Sequence, residues 1–232
     1  MFPYTNIGLP ASIMESMFRD GYKTCLRSLL LNITFKSSDR RQVLWYQGWG
    51  VKDGSQNFEF TWMNNVRNHG SIPFISWEPW DYTQGIHQPA YSLQNIIDGN
   101  FDSYITRWAQ ASKAWRHPYF LRFAHEMNAN WYPWSELTNG NEPGQYIQAY
   151  RHVHDIFAAQ GVKNVTWVWS PNVEYPGSLP LAGLYPGSAY VDWIGFGVRM
   201  GYQRCARECD CPRYVSHPYD RSHPPACRTH RC

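Results

Sequence analysis

The sequence predicts a parallel α/β fold, and three observations predict it. Short apolar runs rich in β-formers recur along the chain, amphipathic helical stripes separate them, and polar or aromatic residues gather just after each run. The runs are Gln42 to Trp49, Ile72 to Trp77, Tyr119 to Glu126, Asn164 to Ser170 and Tyr190 to Phe196. Their near-continuous apolar character is that of strands buried on both faces. Strand and helix in alternation imply a parallel sheet covered by helices.

Taken in order, residues 1–41 form an irregular N-terminal segment, in which residues 12–19 read as helical and Ser28 to Phe35 as a possible first strand. After the 42–49 strand, Phe58, Trp62, Met63 and Val66 make an apolar stripe ending near Gly70. The 72–77 strand is followed by a second helical stripe of Phe101, Tyr104, Ile105, Trp108 and Trp115. After the 119–126 strand, a third helix runs through Tyr146, Ala149, Tyr150, Val153 and Ile156, from Pro143 to Gly161.

Two parallel architectures compete for this pattern. A doubly wound sheet usually carries a glycine-rich phosphate turn after its first strand, and Gly48-Trp49-Gly50 is too aromatic and isolated for that. A (β/α)8 barrel instead concentrates chemistry at the C-terminal ends of its strands. Here those ends carry Trp49, then Trp77-Glu78-Pro79-Trp80, then His125-Glu126, then Trp169-Ser170-Pro171-Asn172. The barrel accounts for the pattern better.

Composition narrows the function classes. The chain of 232 residues has the length of one domain, and no run of eighteen apolar residues suggests a membrane span. The net charge of +3 comes from the last 36 residues, where seven arginines face three acids; the first 196 residues carry −1. A basic body for nucleic acid is therefore not expected. Twelve tryptophans and sixteen tyrosines suit a carbohydrate surface, although aromatic rings also fill cores. The N-terminus lacks the charged start and apolar core of a signal peptide, so the sequence leaves the compartment open.

The segment Leu121 to Trp134, LRFAHEMNANWYPW, places a carboxyl group at a strand end beside several rings. A glycosidase needs an acid that keeps its proton and flat surfaces on which sugars stack. Glu126 is the candidate acid, and Trp131, Tyr132 and Trp134 are the candidate rings. The zinc-protease alternative fails on spacing, because Met127, Asn128 and Ala129 follow where a second histidine ligand is required. No metal and no cofactor are expected.

The same segment resembles the acid/base motif of glycoside hydrolase family 26, the family of retaining β-mannanases. The resemblance covers about residues 42–196 through HEMNANWYPW, PFISWEPW (73–80), a helix NIIDGNFDSYITRWAQ (95–110), NVTWVWSPN (164–172) and LYPGSAYVDWIGF (184–196). It implies a partial (β/α)8 TIM barrel with strands 2 to 6 recognisable and strands 7 and 8 missing. Glu126 would end the fourth strand as proton donor and base. His125, Asn128, Trp131, Trp134 and Trp77 would line the sugar site, with Trp77 equally readable as core, and Trp167 and Trp193 read as core. The implied substrate is mannan or a related β-glycan, cut with retention. Family members are usually extracellular. One departure is Ala129, where the family usually has glycine.

After Phe196 the resemblance stops. An aspartate, glycine, tyrosine stretch and a seventh strand bearing the nucleophile are expected, whereas residues 197–232 are rich in arginine, cysteine, histidine and proline without apolar periodicity. An altered reading frame is the preferred reading of this tail. A zinc site using Cys205, Cys209, Cys211 and Cys227, or a disulfide-linked extension, are the alternatives, although C-x3-C-x-C matches no paired zinc spacing. Without a nucleophile the chain is expected to be impaired as an enzyme, the alternative being a carbohydrate-binding remnant. Glu78, one strand away from Glu126, is the best substitute carboxylate, but orienting the site suits it better.

Overall fold

The computed structural model describes residues 5–10, 42–51 and 54–198. The possible strand at 28–35, the helical reading of 12–19 and the tail from 199 onward lie outside these residues. Seven strands form one sheet: β1 (Thr5–Pro10), β2 (Gln42–Val51), β3 (Gly54–Ser55), β4 (Ile72–Asp81), β5 (Tyr119–Phe123), β6 (Val165–Trp169) and β7 (Trp193–Val198). Their spatial order is β1-β7-β6-β5-β4-β2-β3.

The five expected strands are β2, β4, β5, β6 and β7, and they pair in parallel and in chain order. Order without reversal separates a barrel-type sheet from a doubly wound one, in which the chain turns back across its starting strand. Two antiparallel additions depart from the all-parallel expectation. Strand β1 pairs with β7 from Thr5 opposite Val198 to Pro10 opposite Trp193, and β3 folds back on the end of β2.

Among the described residues, four α-helices accompany the sheet: α1 (Phe60–Asn68), α2 (Leu93–Ile97), α3 (Asp102–Trp115) and α4 (Gln145–Ala159). The single helix expected over 95–110 is two. Ser92 caps α2 by accepting the Asn95 amide at 3.3 Å, and Gly99 then takes φ +81°, a left-handed turn that ends one helix before the next begins. In α1 only Met63 of the expected stripe within the helix is buried; Trp62 is exposed and meets Trp45 edge-on. Helix α4 buries Tyr146, Ala149, Tyr150, Val153 and Phe157 and gives way to Gly161 at φ +69°.

The core lies between the helices and the sheet and is dominated by rings. Trp77 sits at its centre, with ring centroids 4.7 Å from Trp108, 4.9 Å from Trp49 and 5.8 Å from Tyr104. It is fully buried, and its indole N–H donates to the Tyr104 hydroxyl at 3.3 Å. The structure therefore corrects the stacking role expected for Trp77. Its faces are used by the core, because the residue points from β4 toward α3 and α4, where Trp108 and Phe157 lie.

Candidate active site

Strand β5 stops at Phe123, three residues short of its expected end, because the backbone turns left-handed at Ala124 (φ +46°) and again at Glu126 (φ +52°). Side chains other than glycine and asparagine enter this region at a cost of roughly 1–2 kcal/mol. The neighbouring strands fix the turn. The Ala124 amide donates to the Trp77 carbonyl at 3.1 Å, and the Glu126 amide donates to the Ser170 carbonyl, just past β6, at 2.7 Å. From the helix side, the Tyr146 hydroxyl donates to the Ala124 carbonyl at 3.2 Å. Ala129 is not among the residues with positive φ, so its backbone does not require the glycine usual in similar sequences.

The Glu126 carboxylate is half-buried and accepts the Trp131 indole N–H through Oε2 at 3.0 Å. Burial raises its pKa above the ordinary carboxylate value; the Trp131 hydrogen bond and the Arg122 charge oppose the rise. The balance favours an acid that keeps its proton longer than a solvated glutamate. Trp131 itself is 40% exposed and lies flat against Tyr175, with centroids 5.6 Å apart and planes 13° from parallel.

Behind Glu126 lies a buried polar network. His125 Nδ1 meets Ser76 Oγ at 3.2 Å, and its Nε2 meets the Tyr132 hydroxyl at 3.1 Å. Arg122 Nε donates to the same Ser76 oxygen at 3.2 Å. Glu78 lies with Oε1 3.7 Å from His125 Nδ1, and its Oε2 accepts the Trp80 indole N–H at 2.9 Å. The Glu78 pKa is raised to about 7, chiefly by burial and further by the Glu126 charge, against the Trp80 hydrogen bond and Arg122. Burial, with Arg122 second, holds His125 well below the ordinary histidine range. A neutral imidazole beside a carboxyl that stays protonated toward neutrality is a polar contact, and the 3.7 Å approach is not an ion pair in that range.

The structure brings Glu126 and Trp131 together and corrects three expectations about the residues around them. Trp134 is fully buried: it stacks on Tyr132 at 4.3 Å, meets Trp80 edge-on and donates its N–H to the His125 carbonyl at 2.8 Å. It braces the wall and offers no open face. Asn128 is also fully buried, with both ends of its amide committed to residue 172: Nδ2 donates to the Asn172 carbonyl at 3.0 Å and Oδ1 accepts the Asn172 amide at 2.9 Å. It joins two loops where a sugar contact was expected. His125 is buried with both ring nitrogens engaged, so it supports the wall rather than presenting a free nitrogen.

Tyr175, Trp80, Ser76 and Arg122 are the residues that sequence reasoning missed. Ser76 and Trp80 flank Glu78 in the SWEPW run, and period-2 alternation along β4 was a usable signal for them. Tyr175 gave none, since it lies in an irregular loop far from Trp131 in sequence. Among the described residues no group of three or more histidine, cysteine, aspartate or glutamate side chains is placed to hold a metal ion, and no helix is long and apolar enough to cross a membrane. The tail cysteines, and the place beyond Phe196 where a nucleophile is expected, lie outside those residues.

Comparison with known proteins bears on this geometry. The family model described as glycosyl hydrolase family 26 matches residues 34–209, extending the resemblance past Phe196 by thirteen residues. The chain is 42% identical over 144 residues to endoglucanase H of Acetivibrio thermocellus, covering 58% of this chain and 15% of that protein. It is 32% identical over 84 residues to a mannan endo-1,4-beta-mannosidase of Bacillus subtilis, covering 34% and 22%. Among solved structures it is similar to the Bacillus subtilis mannanase man26, with TM-score 0.49 and 21% identity over 65% of this chain and 51% of that one. The chain thus spans only part of the length of the relatives it matches.

Proposed function

Because the chain belongs to glycosyl hydrolase family 26, we propose that it is a glycosidase of the retaining endo-β-1,4-mannanase type, with Glu126 as proton donor and then base. The observation that carries this reading is the half-buried Glu126 carboxyl, its pKa raised, joined by a hydrogen bond to the exposed Trp131 ring. In the first step Glu126 would give its proton to the glycosidic oxygen as the bond to the anomeric carbon breaks. In the second, the resulting carboxylate would take a proton from the water that attacks the same carbon. Retention also requires a nucleophilic carboxylate about 5–5.5 Å from the acid. The resemblance seats that group beyond Phe196, and Glu78, held by Trp80 and beside His125, suits an orienting role better.

Trp131 would supply the stacking surface at the reacting bond. Mannan and β-1,4-glucan are both reasonable polymers, since the relatives named above are an endoglucanase and a mannosidase. A second reading, a chain that binds polysaccharide without cutting it, is favoured by the absence of an aspartate, glycine, tyrosine stretch directly after Phe196.

The test is reducing-sugar release from mannan and from mixed-linkage β-glucan by the full chain and by Glu126→Gln, with binding followed on polysaccharide affinity gels. Weak release by the wild type, as expected of a chain impaired by a missing nucleophile, and retardation without release by the variant is the expected result. Retardation without release by both chains favours the binding reading. Failure of both chains to bind removes both readings, and undiminished release by Glu126→Gln refutes the role of Glu126.

A further inference from the structure

The loops that follow β5 and β6 are stitched into one unit. Besides the two bonds between the Asn128 amide and the Asn172 backbone, the Leu179 amide donates to the Asn128 carbonyl at 2.9 Å. Within the second loop, the Tyr175 amide donates to Ser178 Oγ at 3.1 Å, the Ser178 amide returns to the Tyr175 carbonyl at 3.0 Å, and the Leu181 amide reaches Glu174 Oε1 at 3.3 Å. This closed turn delivers the Tyr175 ring to one face of Trp131. With that face covered, the indole has little freedom to swing, and its N–H stays on Glu126 Oε2 at 3.0 Å.

We propose that Tyr175 is a positioning residue that holds the Trp131 indole against the Glu126 carboxylate; the inference deepens the acid/base role proposed above and rests on it. The consequence is electrostatic. A hydrogen bond donated to a carboxylate favours its ionised form, so the indole N–H opposes the rise that burial imposes on Glu126. The other groups facing Glu126 are Arg122 on β5, Glu78 on β4, and the Tyr132 and Tyr175 hydroxyls. Of these, Arg122 lowers the Glu126 pKa through its charge, whereas the Trp131 N–H acts through a hydrogen bond whose geometry depends on where the ring is held. If the Tyr175 ring is removed, Trp131 is free to rotate, the bond weakens and Glu126 keeps its proton to higher pH.

The experiment is a 13C titration of the full chain labelled at the glutamate carboxyl carbon, with the Glu126 signal assigned by its loss in Glu126→Gln. Tyr175→Ala and Tyr175→Leu are expected to move the Glu126 titration to higher pH, in the direction that Trp131→Phe moves it. Tyr175→Phe, which keeps the ring, is expected to leave it in place. In a Trp131→Phe background, Tyr175→Ala is expected to add no further shift. An unmoved titration in both Tyr175→Ala and Tyr175→Leu, or in Trp131→Phe, overturns the proposal. A Tyr175→Phe shift as large as that of Tyr175→Ala also overturns it, by assigning the effect to the hydroxyl. The titration needs no turnover, so the role of Tyr175 is tested even in a chain that cuts no polysaccharide. Where turnover is measurable, the alkaline limb of kcat/KM should move upward in Tyr175→Ala and Tyr175→Leu and not in Tyr175→Phe.

Discussion

The core around Trp77 and the candidate site around Trp131 are built from the same residue types and use them in opposite ways. Trp77 is enclosed by Trp49, Trp108, Tyr104, Phe123 and Phe157, whereas Trp131 rests on the Tyr175 ring and leaves 40% of its surface open. The indole nitrogens differ as well. Among the described residues, those of Trp49 and Trp108 are buried without a hydrogen-bond partner, while those of Trp80 and Trp131 end on the carboxylates of Glu78 and Glu126. Ring area stabilises the first region, and in the second the N–H tunes a carboxyl group. An aromatic-rich composition is therefore compatible with either use, and the partner of the nitrogen separates them.

Stability should separate the two regions most sharply. Trp77→Ala is expected to cost about 3–5 kcal/mol in urea unfolding, the range for emptying a large buried aromatic site. Trp131→Ala should cost under about 1 kcal/mol while weakening retention on mannan gels. Similar losses of stability in the two variants would dissolve the distinction. Asn128→Ala comes next, at about 1–3 kcal/mol, since it removes a fully buried amide and leaves the partly buried amide and carbonyl of Asn172 without their partner. A cost within measurement error would mean that the two loops hold together without it.

Glu78 offers a pH-dependent test. Its pKa in the fold is raised from an ordinary 4.5 to about 7, so the folded chain holds a proton that the unfolded chain releases earlier. That contribution is complete below the unfolded value and is lost as pH rises through the folded one. Glu78→Gln cannot ionise, so wild type should lose stability relative to the variant as pH rises from 4.5 to about 7, as read from urea midpoints. Parallel curves would show that Glu78 ionises in the fold as readily as in the unfolded chain. The smallest effect is expected for Trp62→Ala, whose exposed ring on α1 should leave stability within about 0.5 kcal/mol.

The five parallel strands were legible because apolar, β-forming runs announce themselves locally, although β2 leaves Val43 and Tyr46 exposed, and the barrel-type order followed from residues placed at their ends. The place of Glu126, just past the end of β5, was legible for the same reason. Trp77 and Trp134 were not assignable, because which rings a tryptophan meets depends on α3, on β4 and on the turn after Tyr132. Asn128 was misread since its partner, Asn172, lies 44 residues away, and no local pattern reports a bond of that span. The break of the expected 95–110 helix at Gly99 was present in the sequence as Asp98-Gly99-Asn100, a turn signal outweighed by the apolar stripe on either side.

The left-handed backbone at Glu126 has an evolutionary consequence. A glutamate bears a conformational penalty there that asparagine largely escapes, and a half-buried carboxyl adds a desolvation penalty above its pKa. Selection for thermal robustness alone would replace this residue, and Glu126→Asn is expected to unfold at higher urea than wild type at pH 8, by roughly 1 kcal/mol. If Glu126 is the acid proposed above, the strain and desolvation borne at this one residue are the stability the chain gives up for it.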